Sequence, residues 1–237
     1  MRKAVRRFAE VVSQTLPIME PIYEFGACQV PGSEKVADIR SLFKQREYYG
    51  CDIAEGAGVD RIMDIQDIHL PDETVGAVLC FETLEHVQHP WIAMQEVHRI
   101  LKPGGMVVLS VPMNLLLHAY PADYWRFTTQ GVRILLTPFE NSWVGYGGVR
   151  DFPHTVVGIG FKGASPEMAD FVQGYRYWQS HQPLSDVITQ FLPVGLIPPF
   201  RWASRVVKRL IRPSLINPDL YRDLEGPGSP ANGFDVK

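Results

Sequence analysis

Between Asn114 and Thr128 the sequence reads Asn-Leu-Leu-Leu-His-Ala-Tyr-Pro-Ala-Asp-Tyr-Trp-Arg-Phe-Thr, and no other stretch gathers as many groups able to bind a polar ligand or move a proton. His118 or Asp123 could take the proton of a hydroxyl, while Tyr120, Tyr124, Trp125 and Arg126 offer aromatic faces and a cation to a ring such as a sugar. A plainer reading of the same residues has Trp125 and Phe127 filling the core and Asp123 paired with Arg126. His86 is a second candidate base, set against a packing or capping role at the start of the next segment. With His89 it suggests a metal pair, but no third ligand has a convincing position, so the sequence assigns no metal. A second cluster lies upstream, where Gly26 and Gly32 bound a turn whose backbone could approach a ligand closely. Asp52 follows that turn by roughly twenty residues, the spacing at which a carboxylate can accept both hydroxyls of a ribose. An ordinary strand-to-helix turn and a surface acid ending a strand are the alternatives.

Positioning these groups falls to four short apolar runs, Ile22 to Phe25, Tyr48 to Cys51, Ala77 to Phe81 and Met106 to Val111, each bounded by Gly, Pro or acidic residues. Runs of this kind are strands buried on both faces. Helical patterns separate them. In Trp91 to Leu101 the residues Ala93, Val97, Ile100 and Leu101 share a face, and Lys102-Pro103-Gly104-Gly105 ends the helix. Alternation of strand and helix predicts an α/β fold with a mostly parallel sheet, and a ligand outside the carboxyl ends of its strands.

Ser33 to Phe43 is predicted as the helix after the glycine turn, with Ser33 as N-cap. A short strand near the sheet edge is expected at Arg61 to Asp64. The amino terminus, Arg2 to Leu16, is predicted as an amphipathic helix with Val5, Phe8, Val12 and Leu16 on one face and Arg2, Lys3, Arg6 and Arg7 on the other, either docking on the sheet and covering the ligand mouth or contacting an anionic surface.

The segment Met63-Asp64-Ile65-Gln66-Asp67-Ile68-His69-Leu70-Pro71-Asp72-Glu73-Thr74-Val75-Gly76-Ala77-Val78-Leu79-Cys80 resembles the class I S-adenosylmethionine-dependent methyltransferases (the type 11 methyltransferase domain), a subgroup that includes quinone-biosynthesis-type enzymes. Leu84-Glu85-His86-Val87 and Leu101-Lys102-Pro103-Gly104-Gly105 continue the likeness, which spans roughly the first two thirds of the chain. It implies S-adenosylmethionine as cofactor and a Rossmann-like sheet closed by antiparallel strands, here Trp143 to Tyr146 and His154 to Phe161. By position, Glu24 and the loop with Gly26, Ala27 and Gly32 would hold the methionine part. Asp52 would bind the ribose, Ile53 would pack on adenine, Asp64 and Ile65 would meet the adenine edge, and Phe81 and Glu82 would line the sulfonium side. Two departures stand out: the family loop usually reads Gly-x-Gly-x-Gly, and Gly76 replaces a common Asp.

A chain of 237 residues, 46% hydrophobic and 21% charged, can bury one large core and a small appendage. Its net charge of -3 makes no case for nucleic acid. Cys28, Cys51 and Cys80 lack metal spacing and read as reduced thiols, and no apolar run reaches the ~20 residues of a membrane span, which fits a cytoplasmic protein. The domain is expected to end near Gly163, leaving residues 164–237 as a helical, proline-interrupted tail. Within the tail, Pro166 to Gln182 is predicted helical with Ser165 as N-cap. Leu192 to Pro199 is apolar but proline-broken, and Phe200 to Arg212 is a basic amphipathic helix. That last helix fits either a peripheral anchor on an anionic membrane or a helix docked on protein. Glu225 to Lys237 has the composition of a disordered end.

These signals predict methyl transfer to a small or glycan-like acceptor, at a hydroxyl. Two alternatives come from other classes. A degenerate methyltransferase acting as a binding or membrane scaffold is favoured by the thinned glycine loop. A nicotinamide-dependent oxidoreductase or epimerase would want a tighter Gly-x-Gly-x-x-Gly and often a Tyr-x-x-x-Lys pair, and the chain has neither.

Overall fold

The computed structural model describes residues 1–30, 32, 34–118 and 122–182. The expectations for Pro31, Ser33, Tyr120, Leu192 to Pro199, Phe200 to Arg212 and Glu225 to Lys237 lie outside the described residues.

Among the described residues seven strands form one sheet in the order β3-β2-β1-β4-β5-β7-β6. They are β1 (Ile22–Phe25), β2 (Tyr48–Asp52), β3 (Arg61–Ile62), β4 (Val75–Phe81), β5 (Leu101–Pro112), β6 (Asn141–Val149) and β7 (Phe152–Phe161). The first five pair in parallel, and β7 pairs antiparallel with β5 and with β6. This is the Rossmann-like sheet with an antiparallel closure that the sequence predicts. Every residue of β4 is buried, because helices cover both faces of a parallel sheet and leave no polar side to its central strand.

One face is covered by α3 (Pro90–Ile100) and α4 (Thr129–Leu135), which share a core with Phe25, Val78, Leu109 and Val156. Pro90 opens α3 at a position where its missing N–H costs no hydrogen bond. The other face carries α1 (Lys3–Thr15) and α5 (Ala169–Ser180), with Phe8, Phe171 and Trp178 packed against Leu79, Val108 and Ile159. The rings of Phe8 and Phe171 meet edge to face at 6.2 Å, and Trp178 Nε1 donates to the Ala4 carbonyl at 2.7 Å. Burying a side chain such as Phe8 is worth roughly 2–3 kcal/mol of transfer free energy. Helix α5 therefore shares the core of α1, so a boundary drawn at Gly163 cuts through a single packed layer. Among the described residues no helix is long and apolar enough to cross a membrane.

Two predicted helices come out shorter. In place of one helix from Ser33 to Phe43 there is α2 (Glu34–Ala37) and then a 3-10 turn at Arg40–Leu42. Asp38 causes the break: its Oδ1 accepts from Ser41 N at 3.2 Å and its carbonyl accepts from Ser41 Oγ at 2.9 Å. Short polar side chains that bond nearby backbone compete with helix continuation. Helix α5 starts at Ala169 after Met168, without side-chain capping, rather than at Pro166 after Ser165. The departure at Gly76 has a packing reason. A Cβ there would lie 2.5 Å from the Met19 carbonyl carbon, so the chain entering β1 crosses too close for any side chain.

Candidate functional site

Strand ends β1, β2, β4 and β5 bring the two predicted clusters to one edge of the sheet. On the first side, the turn after β1 is tied to β2 by backbone bonds. Gly26 N and Ala27 N both donate to the Cys51 carbonyl, at 3.0 and 3.1 Å, and Gln29 N donates to the Ala57 carbonyl at 2.9 Å. Gly26 has φ +83°, and a Cβ on it would meet Thr83 Oγ1 at 2.1 Å. Thr83 in turn donates to the Phe25 carbonyl at 3.1 Å. Glycine is thus imposed twice, by conformation and by space. Gly32, also at positive φ, stands in open space.

Asp52 ends β2 half-buried, its Oδ2 accepting from Cys28 N at 3.1 Å and its Oδ1 from Ala54 N at 3.3 Å. The carboxylate braces the glycine turn and keeps spare lone pairs for a ribose. Ile53 beside it is 55% exposed, an apolar surface free to meet a flat base. Asp64 is exposed and accepts from Gln66 N at 2.8 Å, whereas the Ile65 side chain is buried in the core. Only the backbone of Ile65 can therefore offer an edge to adenine. Phe81 is likewise buried.

Two acids of this half are committed elsewhere. Glu24 is buried and accepts from Tyr48 Oη at 2.7 Å, on the face of the sheet covered by α1. Burial lifts its carboxyl from the usual range to about 7, against the pull of the Tyr48 hydrogen bond. This position commits the side chain to the sheet face that α1 covers. Glu82, at φ 50°, is gripped by Arg2, which donates Nε to Oε1 at 2.7 Å and its backbone N to Oε2 at 3.0 Å. Arg2 Nη1 also reaches the His154 carbonyl at 3.1 Å. The guanidinium holds the buried Glu82 carboxyl below its usual range, in spite of desolvation. The start of α1 is therefore tied to the end of β4 and to β7. Sequence patterning marked the helix but not the Arg2–Glu82 pair, since residues eighty apart leave no periodic signal.

On the second side, the loop after β5 is anchored to the turn after β4. Tyr124 N and Trp125 N donate to the Glu85 carbonyl, at 2.8 and 3.2 Å, and Trp125 Nε1 donates to the Val87 carbonyl at 2.9 Å. Trp125 packs edge-on against Trp91 at 5.8 Å and joins the core with Phe127. Asp123 binds Arg126 through two parallel bonds of 2.5 and 2.7 Å, and Arg126 reaches the carbonyls of Leu115 and Leu116 at 3.1 Å. The plainer reading of Trp125, Phe127, Asp123 and Arg126 thus describes their packing. Tyr124, 51% exposed, remains open to a ligand.

Asp123 is also held by His118 N at 2.8 Å, and its carboxyl lies far below the usual range, chiefly because of Arg126. A carboxylate so stabilised takes protons poorly, which corrects its candidacy as a base and leaves it an orienting role. His118 has Nδ1 at 3.3 Å from Asp123 Oδ2 and 3.2 Å from the Leu116 carbonyl. His86 directs Nδ1 at the Ala122 carbonyl. The two imidazoles meet edge to face with centroids 4.9 Å apart. Beneath them sits Glu85, fully buried, with neither carboxylate oxygen hydrogen-bonded among the described residues. Burial first, and the charge of Glu82 second, push its carboxyl up to about 8. Sequence reasoning passed over Glu85, although its place directly before His86 was the available signal.

A sheet of this order, with a glycine turn after β1 and an acid ending β2, has the fold of class I S-adenosylmethionine-dependent methyltransferases. Residues 31–109 match the family model described as a methyltransferase domain. The chain therefore carries a methyltransferase domain, and S-adenosylmethionine is the cofactor that such a domain takes. The fold is also that of the 1,6-didemethyltoxoflavin-N1-methyltransferase of Burkholderia thailandensis, solved with 1,6-didemethyltoxoflavin and S-adenosylhomocysteine. That protein is 15% identical over 68% of this chain and 80% of its own, with a TM-score of 0.52. A Thermotoga maritima S-adenosylmethionine-dependent methyltransferase, described as a possible histamine N-methyltransferase, is 22% identical over 67% of this chain and 91% of its own, with a TM-score of 0.46. No curated protein matches the chain significantly.

Proposed function

We propose that the protein transfers the methyl group of S-adenosylmethionine to a hydroxyl of a small or glycan-like acceptor, bound between residues 81–87 and the loop of residues 113–128. The observation that carries this reading is the His118–His86 pair at the junction of the β4 and β5 ends, with Asp123 holding His118. Because the sulfonium is already activated, the protein must align donor and acceptor and dispose of the acceptor proton. His118, 41% exposed and braced at Nδ1, presents Nε2 to that proton, and His86 stands beside it. Tyr124 offers the aromatic face. Asp52, Ile53 and the backbone at Asp64 and Ile65 receive the ribose and adenine, while the Gly26 turn faces the methionine part. We also propose peripheral membrane contact through the basic segment 200–212, which sedimentation with anionic vesicles would test by deletion of that segment.

The test has two stages. Calorimetric titration with S-adenosylhomocysteine should give micromolar affinity that Asp52→Ala lowers at least tenfold. Methyl transfer from labelled S-adenosylmethionine to panels of glycosides, phenols and amines should then favour hydroxyl acceptors, with His118→Ala losing turnover but not cofactor affinity. Transfer confined to amines, or normal turnover in His118→Ala, overturns the acceptor chemistry. Absent cofactor binding by folded protein supports instead the scaffold reading, which the Arg2 grip on Glu82 favours.

A further inference from the structure

Glu85, His86 and His118 place one ligand atom each within 4.8 Å of the others. The spacing of His86 and His89 gave no metal site, and the fold answers with a different pair of partners. Three features distinguish this cluster from an accidental meeting of polar side chains.

Both imidazoles have their tautomers fixed by acceptors that cannot donate. His86 Nδ1 faces the Ala122 carbonyl, and His118 Nδ1 faces the Leu116 carbonyl and the Asp123 carboxylate. Each Nδ1 must therefore carry the hydrogen, and each Nε2 keeps a free lone pair. Histidines that bind metals are oriented in this way, by a carbonyl or carboxylate on the far nitrogen.

The third group is an acid that no Lys or Arg pairs directly among the described residues, Arg2 and Arg126 acting on it only at longer range. Glu85 is fully buried, has no hydrogen-bond partner at either oxygen among the described residues, and comes within 3.9 Å of His86 Nε2. Its charged neighbours are already matched, Glu82 by Arg2 and Arg126 by Asp123. A buried carboxylate left in this state costs free energy unless a cation or proton joins it.

Exposure is graded across the cluster. Glu85 is sealed, the His86 side chain is 16% exposed and that of His118 is 41% exposed. Three protein ligands at the base and an open outward side is the arrangement of a metal site that keeps a position for water or substrate.

We propose that Glu85, His86 and His118 bind a divalent transition metal, with zinc as the natural match for two imidazoles and one carboxylate. The proposal goes beyond the methyl-transfer reading. With a cation in place the two histidines act as ligands, and a hydroxyl bound at the open position would ionise on the metal.

The experiment is calorimetric titration of untagged, chelator-stripped protein with Zn²⁺, together with Co²⁺ absorption spectra in the visible. One equivalent should bind with micromolar or tighter affinity, and Co²⁺ should give d–d bands of a low-coordinate site. Glu85→Gln and His118→Ala should each weaken Zn²⁺ binding at least tenfold. His118→Ala changes a partly exposed side chain and remains decisive should Glu85→Gln fail to fold. Absence of saturable stoichiometric binding, or unchanged affinity in His118→Ala, overturns the proposal. Because metal binding is read without turnover or cofactor, its failure leaves the methyltransferase reading standing, and the reverse also holds.

Discussion

The two sides of the crevice are built by different means. On the proposed cofactor side, peptide groups do the tying: the turn after β1 hangs on the Cys51 and Ala57 carbonyls, and Asp52 adds a single brace. On the proposed acceptor side, loop geometry depends on side chains, above all on Asp123 holding Arg126 and the His118 amide. A backbone-tied turn presents similar surfaces whatever its side chains, which suits a constant cofactor. A loop tied through side chains can be re-cut by a few substitutions, which suits an acceptor that differs from one protein to another.

The sharpest way to break this contrast is at Gly26. Alanine there must adopt φ +83° and push into Thr83, and we expect a loss of about 3 kcal/mol in urea denaturation, near the upper end for one strained residue. Adding Thr83→Ala should recover part of that loss by clearing the space, leaving the conformational cost of roughly 1–2 kcal/mol. A single Gly26→Ala that costs under about 1 kcal/mol would show that the turn is not rigid.

Arg2→Ala comes next, since it leaves the buried Glu82 carboxylate without its guanidinium and with only the backbone N of residue 2. About 2–3 kcal/mol should be lost, less than for a fully sealed pair because Arg2 stays partly exposed. Adding Glu82→Gln should restore most of it. If Arg2→Ala leaves the melting temperature unchanged, α1 is held by its apolar face alone.

On the acceptor side, Asp123→Asn should cost about 1–2 kcal/mol at pH 7 by weakening the Arg126 pair. The carboxyl is held below its ordinary value in the folded protein. Its contribution is therefore complete above the unfolded pKa of about 3.9 and shrinks as pH falls below it. Denaturation of wild type and variant at pH 7 and at pH 3 should show the gap narrowing. A gap that persists undiminished at pH 3 would mean that the carboxylate charge is not what holds the loop.

Sequence and structure agree where local spacing carries the information. The four buried runs, the glycine turn and the acid at Asp52 are all patterns within a few dozen residues, and they suffice for a parallel sheet, while the order of its strands comes only from the structure. The Leu101-Lys102-Pro103-Gly104-Gly105 stop is legible for the same reason, although the strand itself begins already at Leu101. What escaped the sequence depends on meetings between distant segments. Arg2 finds Glu82, α5 finds α1, and His118 finds His86 only after the sheet is assembled. The aromatic loop at residues 124–127 showed the converse limit. Residue types alone cannot tell a stacking platform from a core plug, because Trp125 suits both and only burial decides.

The smallest expected effect tests how far a family position carries a role. Glu24 stands where the resemblance placed a cofactor contact, yet its carboxyl is buried against Tyr48 and raised to about 7. At pH 5 the folded protein therefore holds Glu24 protonated, and Glu24→Gln, which can still accept from Tyr48 Oη, should change stability by less than about 1 kcal/mol. As pH rises from about 4.5 to about 7 the unfolded chain releases this proton before the folded one does, so wild type loses stability across that window. Glu24→Gln should lack this loss and become the more stable of the two by pH 8. Affinity for S-adenosylhomocysteine should stay within about threefold of wild type, because the side chain is buried against Tyr48. A larger drop in affinity at unchanged stability would return Glu24 to the ligand side and make the backbone-tied half depend on a side chain after all.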